Sequence, residues 1–163
     1  MNPHSAKTSL NQVSSLHKWM LDKDNKIPVF DFGAGKKGKV DEAFYQKCTP
    51  YFPYDPFCRS NRENTDSLDA NIEKETGHVL CSNVLNVLED NVLPLAIASL
   101  FVKTKRTWLK VAYVSVYHKA GLPKNRQVGN HFQRNEKIDW YIPHLEKRFS
   151  SVEKVGKFLV CKV

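Results

Sequence analysis

Three glycines preceded by an acidic residue are the part of the sequence best suited to binding a ligand. Gly33, Gly35 and Gly38 stand in the spacing G-x-G-x-x-G, directly after the apolar run 27–32. Glycine lacks a Cβ, so such a turn adopts positive φ and lets a ligand lie against bare backbone. A strand before the turn and a helix starting near Lys39 give the context in which this spacing binds nucleotide-like ligands. The predicted chemistry is therefore cofactor binding at the end of a buried strand.

Three kinds of ligand are bound by turns of this type, and the neighbouring residues separate them. A phosphate-binding P-loop would start at Gly33, but residue 40 is Val, where a Ser or Thr hydroxyl normally holds Mg²⁺. A dinucleotide-binding turn usually has an apolar residue at the position of Asp31. An acid at that position can order the loop and favour a positively charged ligand. An ordinary turn joining a strand to a helix remains the alternative that needs no ligand.

A second acidic residue, Asp55, follows the glycines by about 20 residues, the distance at which an acid meets ribose hydroxyls at the end of the next strand. A carboxylate accepts two hydrogen bonds from a 2′,3′-diol, which few other side chains can do. Asp55 is therefore predicted to bind a ribose. The alternative is that Asp55 and Pro56 form a plain Asp-Pro turn.

Composition and charge limit the class of protein. The chain has 163 residues, of which 41% are hydrophobic and 11% aromatic, and this predicts one folded domain over 1–163. No apolar run approaches the roughly 18 residues of a membrane span, and no secretory signal is visible, so we expect a cytoplasmic protein without a membrane partner. A net charge of +8 favours an anionic partner, although basic proteins without one are common. No motif indicates the oligomeric state.

The cysteines indicate neither a zinc site nor a disulfide framework. Cys48, Cys58, Cys81 and Cys161 are widely separated and form no C-x-x-C pair, so no metal site is predicted. Cys81 and Cys161 lie in apolar runs, which predicts buried thiols in a reducing compartment.

Hydrophobic periodicity predicts strands that alternate with helices. Strands are expected over 27–32, 51–54, 78–83 and 108–117, with one strand or a tight hairpin around Gly156 in 152–163. Helices are expected over 9–21, 39–47, 67–75, 92–105 and 139–149. The stretch 58–77 contains no convincing strand, and 118–137 is predicted to be a long basic loop.

This alternation implies a mostly parallel sheet with helices on both faces. Ligands of such sheets bind at the carboxyl ends of the strands, near the point where the strand order reverses. The segment from Asp31 to Gly38, Asp55 and the segment 83–86 fall at three such ends. We therefore expect them to line one site.

Two segments resemble class I S-adenosylmethionine (SAM)-dependent methyltransferases. Asp31, two residues before the first glycine, is similar to the acid of their motif I, and the segment 78–90, with N-V-L-N-V-L-E-D, is similar to their motif IV region. The second segment looks most like small methyltransferase-like proteins of phage genomes and bacterial DNA-modification loci. The resemblance covers the chain from about Leu21 to Val163. It implies a single Rossmann-like three-layer α/β sandwich in which the third strand of the family is absent or reduced.

The resemblance also assigns residues to a site. It implies a SAM cofactor held by the glycine turn and the neighbouring strand ends, through Asp31, Phe32, Gly33, Ala34, Gly35, Asp55, Pro56, Asn83, Val84 and Leu85. The candidates for orienting or deprotonating a methyl acceptor are Asn83, Asp90 and His118.

Two departures from the family leave the acceptor open. The chain has neither the Asn/Asp-Pro-Pro-Tyr/Phe box of enzymes that methylate exocyclic amines of DNA bases nor the Pro-Cys nucleophile of cytosine-C5 enzymes. The basic loop offers Lys124, Arg126, Phe132 and Arg134, a combination in which basic residues hold phosphates while an aromatic ring stacks on a base. The alternative is a solvated loop whose charges aid solubility.

The sequence therefore favours a SAM-dependent methyltransferase with a nucleic-acid acceptor, either DNA or RNA. The first alternative is a SAM-binding protein that transfers no methyl group and sequesters or degrades SAM, or acts as a regulatory subunit. The second is a nucleic-acid-binding module whose glycine turn has lost its ligand.

Overall fold

A six-stranded sheet forms the middle of the protein. The structure is a computed structural model that describes residues 12–23, 26–128 and 131–163. The strands of the sheet are β1 (Val29–Phe32), β2 (Tyr51–Tyr54), β3 (His78–Ser82), β4 (Val111–Ser115), β7 (Ser151–Val155) and β8 (Phe158–Lys162). A two-stranded hairpin apart from this sheet consists of β5 (Asn125–Val128) and β6 (His131–Arg134).

Helices connect most of the strands, and some begin where the sequence supplies a capping group. They are α1 (Ser15–Asp22), α2 (Lys39–Gln46), α3 (Asn61–Ile72), α4 (Leu93–Arg106) and α5 (Ile142–Leu145), with 3₁₀ turns at Leu85–Val87 and Ile138–Tyr141. Ser14 and Ser60 accept hydrogen bonds from backbone N–H groups in the first turns of α1 and α3. Among the helices described, none is long and apolar enough to cross a membrane.

The strand order is β2-β1-β3-β4-β8-β7, and β8 runs antiparallel to both of its neighbours. β1 pairs in parallel with β2 and β3, so Asp31 lies opposite Pro53 on one side and Leu80 on the other. β4 pairs in parallel with β3. The first four strands therefore end at the same edge of the sheet. The predicted α/β fold with a mostly parallel sheet is confirmed.

Successive side chains along the strands point to opposite faces, and this divides the core into two layers. Val29 and Leu80 pack with α1 and α2 on one face, whereas Phe30 and Phe32 pack with α4 on the other. Fully burying one such side chain stabilises the fold by about 1.5–3 kcal/mol. The sheet thus lies between two helical layers. Asp31 is two residues after Val29 on the same strand, so its side chain points to the same face, towards α1.

The helix α3 covers the edge of the sheet formed by β2. The sequence predicts that the family's third strand is absent or reduced in this part of the chain. Residues 55–77 contain α3 but no strand, so β2 forms this edge. The hydroxyl of Ser67 on α3 donates a hydrogen bond to the carbonyl of Pro53 (2.7 Å). Pro53 has no backbone N–H group to offer a further strand.

Three predicted elements differ from the structure. The stretch 118–137 contains the hairpin β5–β6, which its polar composition did not indicate. β4 begins at Val111 and not at residue 108, because Lys110 has a φ of 53° and interrupts the extended backbone. The predicted helix 139–149 is a 3₁₀ turn followed by the short α5, and the change comes directly before Pro143, which cannot donate a backbone hydrogen bond.

The other element boundaries shift by smaller amounts. The N-terminal helix begins at Ser15, and the part of its prediction before residue 12 lies outside the described residues. α3 begins earlier than predicted because Ser60 and Glu63 form a reciprocal capping box at its start. The chain ends in the predicted tight hairpin, with Gly156 at a φ of 60°.

Burial sets the ionisation of several strand side chains. Cys81 and Cys161 are buried free thiols, as predicted, and burial raises the pKa of both. His78, at the start of β3, is 6% exposed, and neither ring nitrogen has a hydrogen-bond partner in the described part of the chain. Burial, with a smaller effect of the Lys23 charge, lowers the pKa of His78 from 6.5 to about 4.

His78 should make the stability of the fold depend on pH. The unfolded chain takes up a proton on this imidazole near pH 6.5, whereas the folded protein keeps it neutral down to about pH 4. The unfolding free energy should therefore fall by about 3 kcal/mol as the pH decreases through this window. Because His78→Phe keeps a ring without the titration, it should remove this part of the pH dependence. Urea unfolding of both proteins at several pH values measures the difference, and equal pH slopes would contradict the assignment.

Candidate functional site

A cavity of about 520 Å³ opens at the carboxyl ends of β1 to β4. Its wall includes residues of the glycine turn after β1, of the segment 54–58 after β2 and of the segment 82–88 after β3. The rest of the wall comes from α1 and the residues before it, from α2, from α4 and the residue before it, from the segment after β4, and from β6, namely Gln12, Ser14, His17, Val40, Val92, Ala96, Ser99, Tyr117 and Gln133. This is the edge of a parallel sheet at which ligands bind.

Gly33 requires glycine for two separate reasons. Its φ is +79°, and a Cβ at this position would lie 2.4 Å from Cγ2 of Val84. Gly35 also has a positive φ, of 69°. The N–H groups of Gly33 and Ala34 both donate to the carbonyl of Tyr54, at 2.8 and 3.1 Å. The turn is therefore held against the end of β2, while its bare side meets the segment after β3.

Asp55 lies next to this turn, and its carboxylate orders two loops. Oδ2 accepts from the N–H of Gly35 at 3.0 Å, and Oδ1 accepts from the N–H groups of Phe57 and Cys58 at 2.9 and 3.0 Å. The side-chain amide of Asn64 on α3 accepts a hydrogen bond from the N–H of Asp55 and donates one to its carbonyl. A carboxylate has about four acceptor positions, so room for one ligand hydroxyl remains while these loop bonds persist.

Arg59 organises the glycine turn, and no sequence pattern indicated it. The side chain is buried, and its Nε donates to the carbonyl of Gly35 (2.6 Å). Its two terminal nitrogens bind the carboxylate of Asp41 at 2.8 and 3.0 Å, and Asp41 also accepts from the N–H of Gly38 (2.9 Å). One ion pair, between the buried Arg59 and the partly buried Asp41, therefore holds the middle and the end of the turn, at Gly35 and Gly38. In the sequence, Arg59 cannot be told apart from the exposed Arg62 close by.

Asp31 lies beneath the turn on the face of α1 and is not part of the cavity wall. Its Oδ2 accepts a hydrogen bond from the hydroxyl of Tyr51 and lies 2.9 Å from Nε2 of His17. Burial, followed by the charge of Asp31, raises the pKa of Tyr51 well above its ordinary value. Oδ1 of Asp31 has no hydrogen-bond partner among the described residues. The acid thus joins α1 to the sheet directly under the glycine turn.

A chain of hydroxyls continues from His17 towards the cavity. Nδ1 of His17 lies 2.8 Å from Oγ of Ser14, and Ser82 Oγ donates to the same Ser14 oxygen (2.8 Å). Ser82 is also 3.1 Å from Oγ of Ser115 on β4. His17, Ser14 and Ser82 all belong to the cavity wall. The start of α1 is therefore tied to the ends of β1, β3 and β4 by side-chain hydrogen bonds.

The segment after β3 brings two asparagines to the cavity in different ways. Asn83 has a φ of 59°, and its N–H donates to the carbonyl of Ser115 (2.9 Å), so the chain turns sharply at this point. Asn86, in the following 3₁₀ turn, is only 1% exposed, and its Oδ1 has no hydrogen-bond partner in the described chain. Asn83 was predicted as a site residue, whereas Asn86 was named only as the end of the segment.

Arg134 fastens the hairpin β5–β6 to this 3₁₀ turn. The side chain is buried, and its guanidinium donates to the carbonyls of Leu85 (3.4 Å) and Leu88 (3.0 Å). The same group pairs with the carboxylate of Asp90 and lies 4.8 Å from the ring centre of Trp140. Arg134 therefore shapes the cavity wall from behind instead of presenting its charge to solvent.

The structure brings together part of the predicted set of site residues. Those that form the cavity wall are Phe32, Gly33, Ala34, Asp55, Pro56, Asn83 and Val84. Those that lie off it are Asp31, Gly35, Leu85, Asp90, His118, Lys124, Arg126, Phe132 and Arg134. Asp90 is 84% exposed and His118 is exposed. Within the described residues, no group of three His, Cys, Asp or Glu side chains is arranged to hold a metal ion.

Comparison with known proteins supports the fold. No protein-family model and no curated protein sequence match the chain. A similar solved structure is that of the 1,6-didemethyltoxoflavin-N1-methyltransferase of Burkholderia thailandensis, with bound 1,6-didemethyltoxoflavin and S-adenosylhomocysteine. The TM-score is 0.55 at 13% sequence identity, over 90% of this chain and 75% of that chain. At this identity the likeness shows that the two proteins share a fold.

Replacing Arg59 should be far more damaging than replacing Arg62. Arg59→Met leaves Asp41 and the carbonyl of Gly35 without their buried partner, so we expect a loss of about 3–5 kcal/mol of unfolding free energy. Arg62→Met is the matched control, because Arg62 is 93% exposed and pairs with Asp66 only at 3.9 Å. Its loss should be about 0–1 kcal/mol. Urea unfolding of the two variants gives the comparison, and similar losses would show that Arg59 does not hold the turn.

Proposed function

We propose that this protein is a SAM-dependent methyltransferase. The observation that carries the proposal is the cavity at the carboxyl ends of the parallel strands, bordered by Gly33 with its positive φ and by the carboxylate of Asp55. The two segments that resemble methyltransferase motifs contribute Gly33, Ala34 and residues 82–84 to the cavity wall, whereas Asp31 lies beneath the turn and off that wall. The structurally similar methyltransferase, crystallised with S-adenosylhomocysteine, adds support from the fold.

The residues of the cavity suit a SAM molecule. Gly33 and Ala34 form part of the cavity wall, so an extended ligand can lie along the turn there. Asp55 retains an acceptor position for a ribose hydroxyl beside Pro56. Phe32 and Val84 supply apolar wall next to the turn. These residues, with Asn83, would hold the cofactor.

SAM supplies a methyl group on a sulfonium, which is already an activated leaving group. The protein must then hold the acceptor in line with that methyl group and exclude water, and this positioning is itself a large part of catalysis. Two sides of the cavity are formed by the start of α1, where Ser14 is hydrogen-bonded to Ser82, and by the hairpin β5–β6, which contributes Gln133. Asn83 stays the candidate for orienting an acceptor, because it is exposed at the cavity.

A nucleic acid is one candidate acceptor. Lys124 is 83% exposed at the start of the hairpin β5–β6, and the partly buried Phe132 lies on its second strand. Arg126 donates a hydrogen bond to Gln133, a residue of the cavity wall. A nucleic-acid surface would rest on these residues and not on Arg134, whose guanidinium is used inside the protein.

SAM binding without methyl transfer is the alternative function, and one observation favours it. Asp55 and His17, the carboxylate and the imidazole of the cavity wall, are both hydrogen-bonded within the protein, so neither is positioned to remove a proton from an acceptor. A protein of this kind would sequester SAM or present it to a partner.

Gly33→Val should abolish SAM binding, whereas the same change at Gly121 should not. Both glycines have positive φ, +79° and +81°, so both variants pay a similar backbone strain of about 1–2 kcal/mol. Only at Gly33 does the new side chain meet a neighbour, because nothing lies within 4 Å of a Cβ at Gly121. Isothermal titration with SAM should show a loss of at least about 100-fold, or 2.7 kcal/mol, for Gly33→Val. Wild-type affinity in this variant would contradict the proposed cofactor site.

Methyl transfer itself is tested with SAM labelled on the methyl group. The protein is incubated with labelled SAM and with separate pools of nucleic acid, protein and small metabolites, and we expect label in one pool. If nucleic acid is labelled, Lys124→Ala with Arg126→Ala should lower the slope of log affinity against log salt by about 1.4–1.8. SAM binding without label in any pool would favour the alternative function.

A further inference from the structure

Asn86 is a buried polar side chain that the folded chain does not satisfy. It is 1% exposed, it belongs to the cavity wall, and its Oδ1 finds no hydrogen-bond partner in the described chain. A buried polar atom without a partner is costly, and native proteins hold few of them. Such an atom at a cavity wall indicates a ligand that supplies the missing donor.

The position of Asn86 places that ligand away from the glycine turn. Val84, two residues earlier, touches Gly33, whereas the carbonyls that flank Asn86 are bound by Arg134 of the hairpin β5–β6. The sheet order puts β1 and β2 on one side of β3 and β4 on the other. Tyr117 after β4 and Gln133 of β6 border the same cavity. Asn86 therefore belongs to the half of the cavity opposite Asp55.

The polar side chains that this half presents to the cavity are uncharged, and the guanidinium of Arg126 lies off the cavity wall, bound to the side-chain oxygen of Gln133. Asn86, Tyr117 and Gln133 offer amides and a hydroxyl, which donate and accept without ionising near neutral pH. Arg134 lies behind the turn with its guanidinium bound to carbonyls and to Asp90. A ligand with a phosphate or carboxylate in this half would lose its hydration without a charged side chain on the cavity wall to pair with, which is unfavourable.

We infer that Asn86 recognises the methyl acceptor, and that this acceptor is a small uncharged molecule with a planar edge of hydrogen-bond donors and acceptors. The inference rests on the proposed function. A side-chain amide presents a carbonyl and an NH₂ in one plane, and this pairs with a lactam or amidine edge of a heterocycle. The acceptor half thus selects by hydrogen bonding, whereas the cofactor half holds its ligand along the glycine turn.

The binding test uses the protein saturated with S-adenosylhomocysteine and two fragment sets of equal size. One set contains uncharged lactam and amidine heterocycles, and the other contains carboxylates and phosphates. Ligand-observed NMR should detect binding from the first set, and Asn86→Ala should weaken the best fragment at least tenfold. Asn91→Ala, a change at an exposed residue outside the cavity wall, is the matched control and should bind like wild type.

A second test does not depend on knowing the acceptor. Leu has nearly the shape of Asn, so Asn86→Leu removes the unsatisfied amide without opening a cavity. If the amide exists for a ligand, the variant should unfold at a temperature about 2–4 °C higher than wild type in the absence of ligands. A lower midpoint would mean that Asn86 has a structural role, and the inference would be wrong.

The outcomes separate this inference from the proposed function. SAM affinity within about twofold of wild type in Asn86→Ala, with fragment binding lost, supports both. Loss of SAM affinity in the same variant assigns Asn86 to the cofactor and overturns the inference alone. Binding of the charged set only, binding of no fragment, or labelling of nucleic acid in the transfer assay also overturns it. No SAM binding to wild type overturns the proposed function.

Discussion

The parallel pairing of β1 between β2 and β3 is the constraint on which the site depends. Because the strands run side by side in one direction, the residues that follow them are brought to one edge although they are distant in sequence. Gly33 then has to pass Val84 so closely that no side chain fits between them. Asp55 and the Arg59–Asp41 ion pair fix the turn in this position by binding its backbone. The cavity is therefore a consequence of strand order and of one glycine.

Polar side chains in this molecule fall into two groups according to whether the protein satisfies them. The first group consists of Arg59, Arg134 and Asp55, whose side chains form several hydrogen bonds with carbonyls, carboxylates or N–H groups and so stabilise the loops. Asn86 is as buried as Arg134, but its side-chain oxygen lacks a partner among the described residues, as do the ring nitrogens of His78 and one oxygen of Asp31. The first group explains how the loops keep their form. Of the described residues in the second group only Asn86 belongs to the cavity wall, and it is this combination that points to a ligand.

The strands and the glycine turn were predictable because their signals are local. Short apolar runs predicted β1 and β3, an alternating pattern predicted β4, and the spacing of Gly33 and Gly35 predicted positive φ. Long-range side-chain partners were not predictable, because nothing in an arginine's neighbours along the chain tells whether it becomes buried. Arg134 was therefore assigned to a basic surface although it lies inside, and Arg59 was not singled out. The hairpin β5–β6 was missed for a similar reason, since its strands are polar and lie apart from the sheet.

The covered edge of β2 bears on how this sheet avoids pairing with strands of other molecules. An exposed edge strand is a template for pairing with strands of other molecules, which leads to aggregation. At Pro53 an incoming strand would find no N–H donor, and the carbonyl is already occupied by Ser67. One proline and one serine thus provide a local protection against self-association that would otherwise require a further strand. The sheet can therefore end at β2 without exposing unpaired backbone groups at this part of its edge.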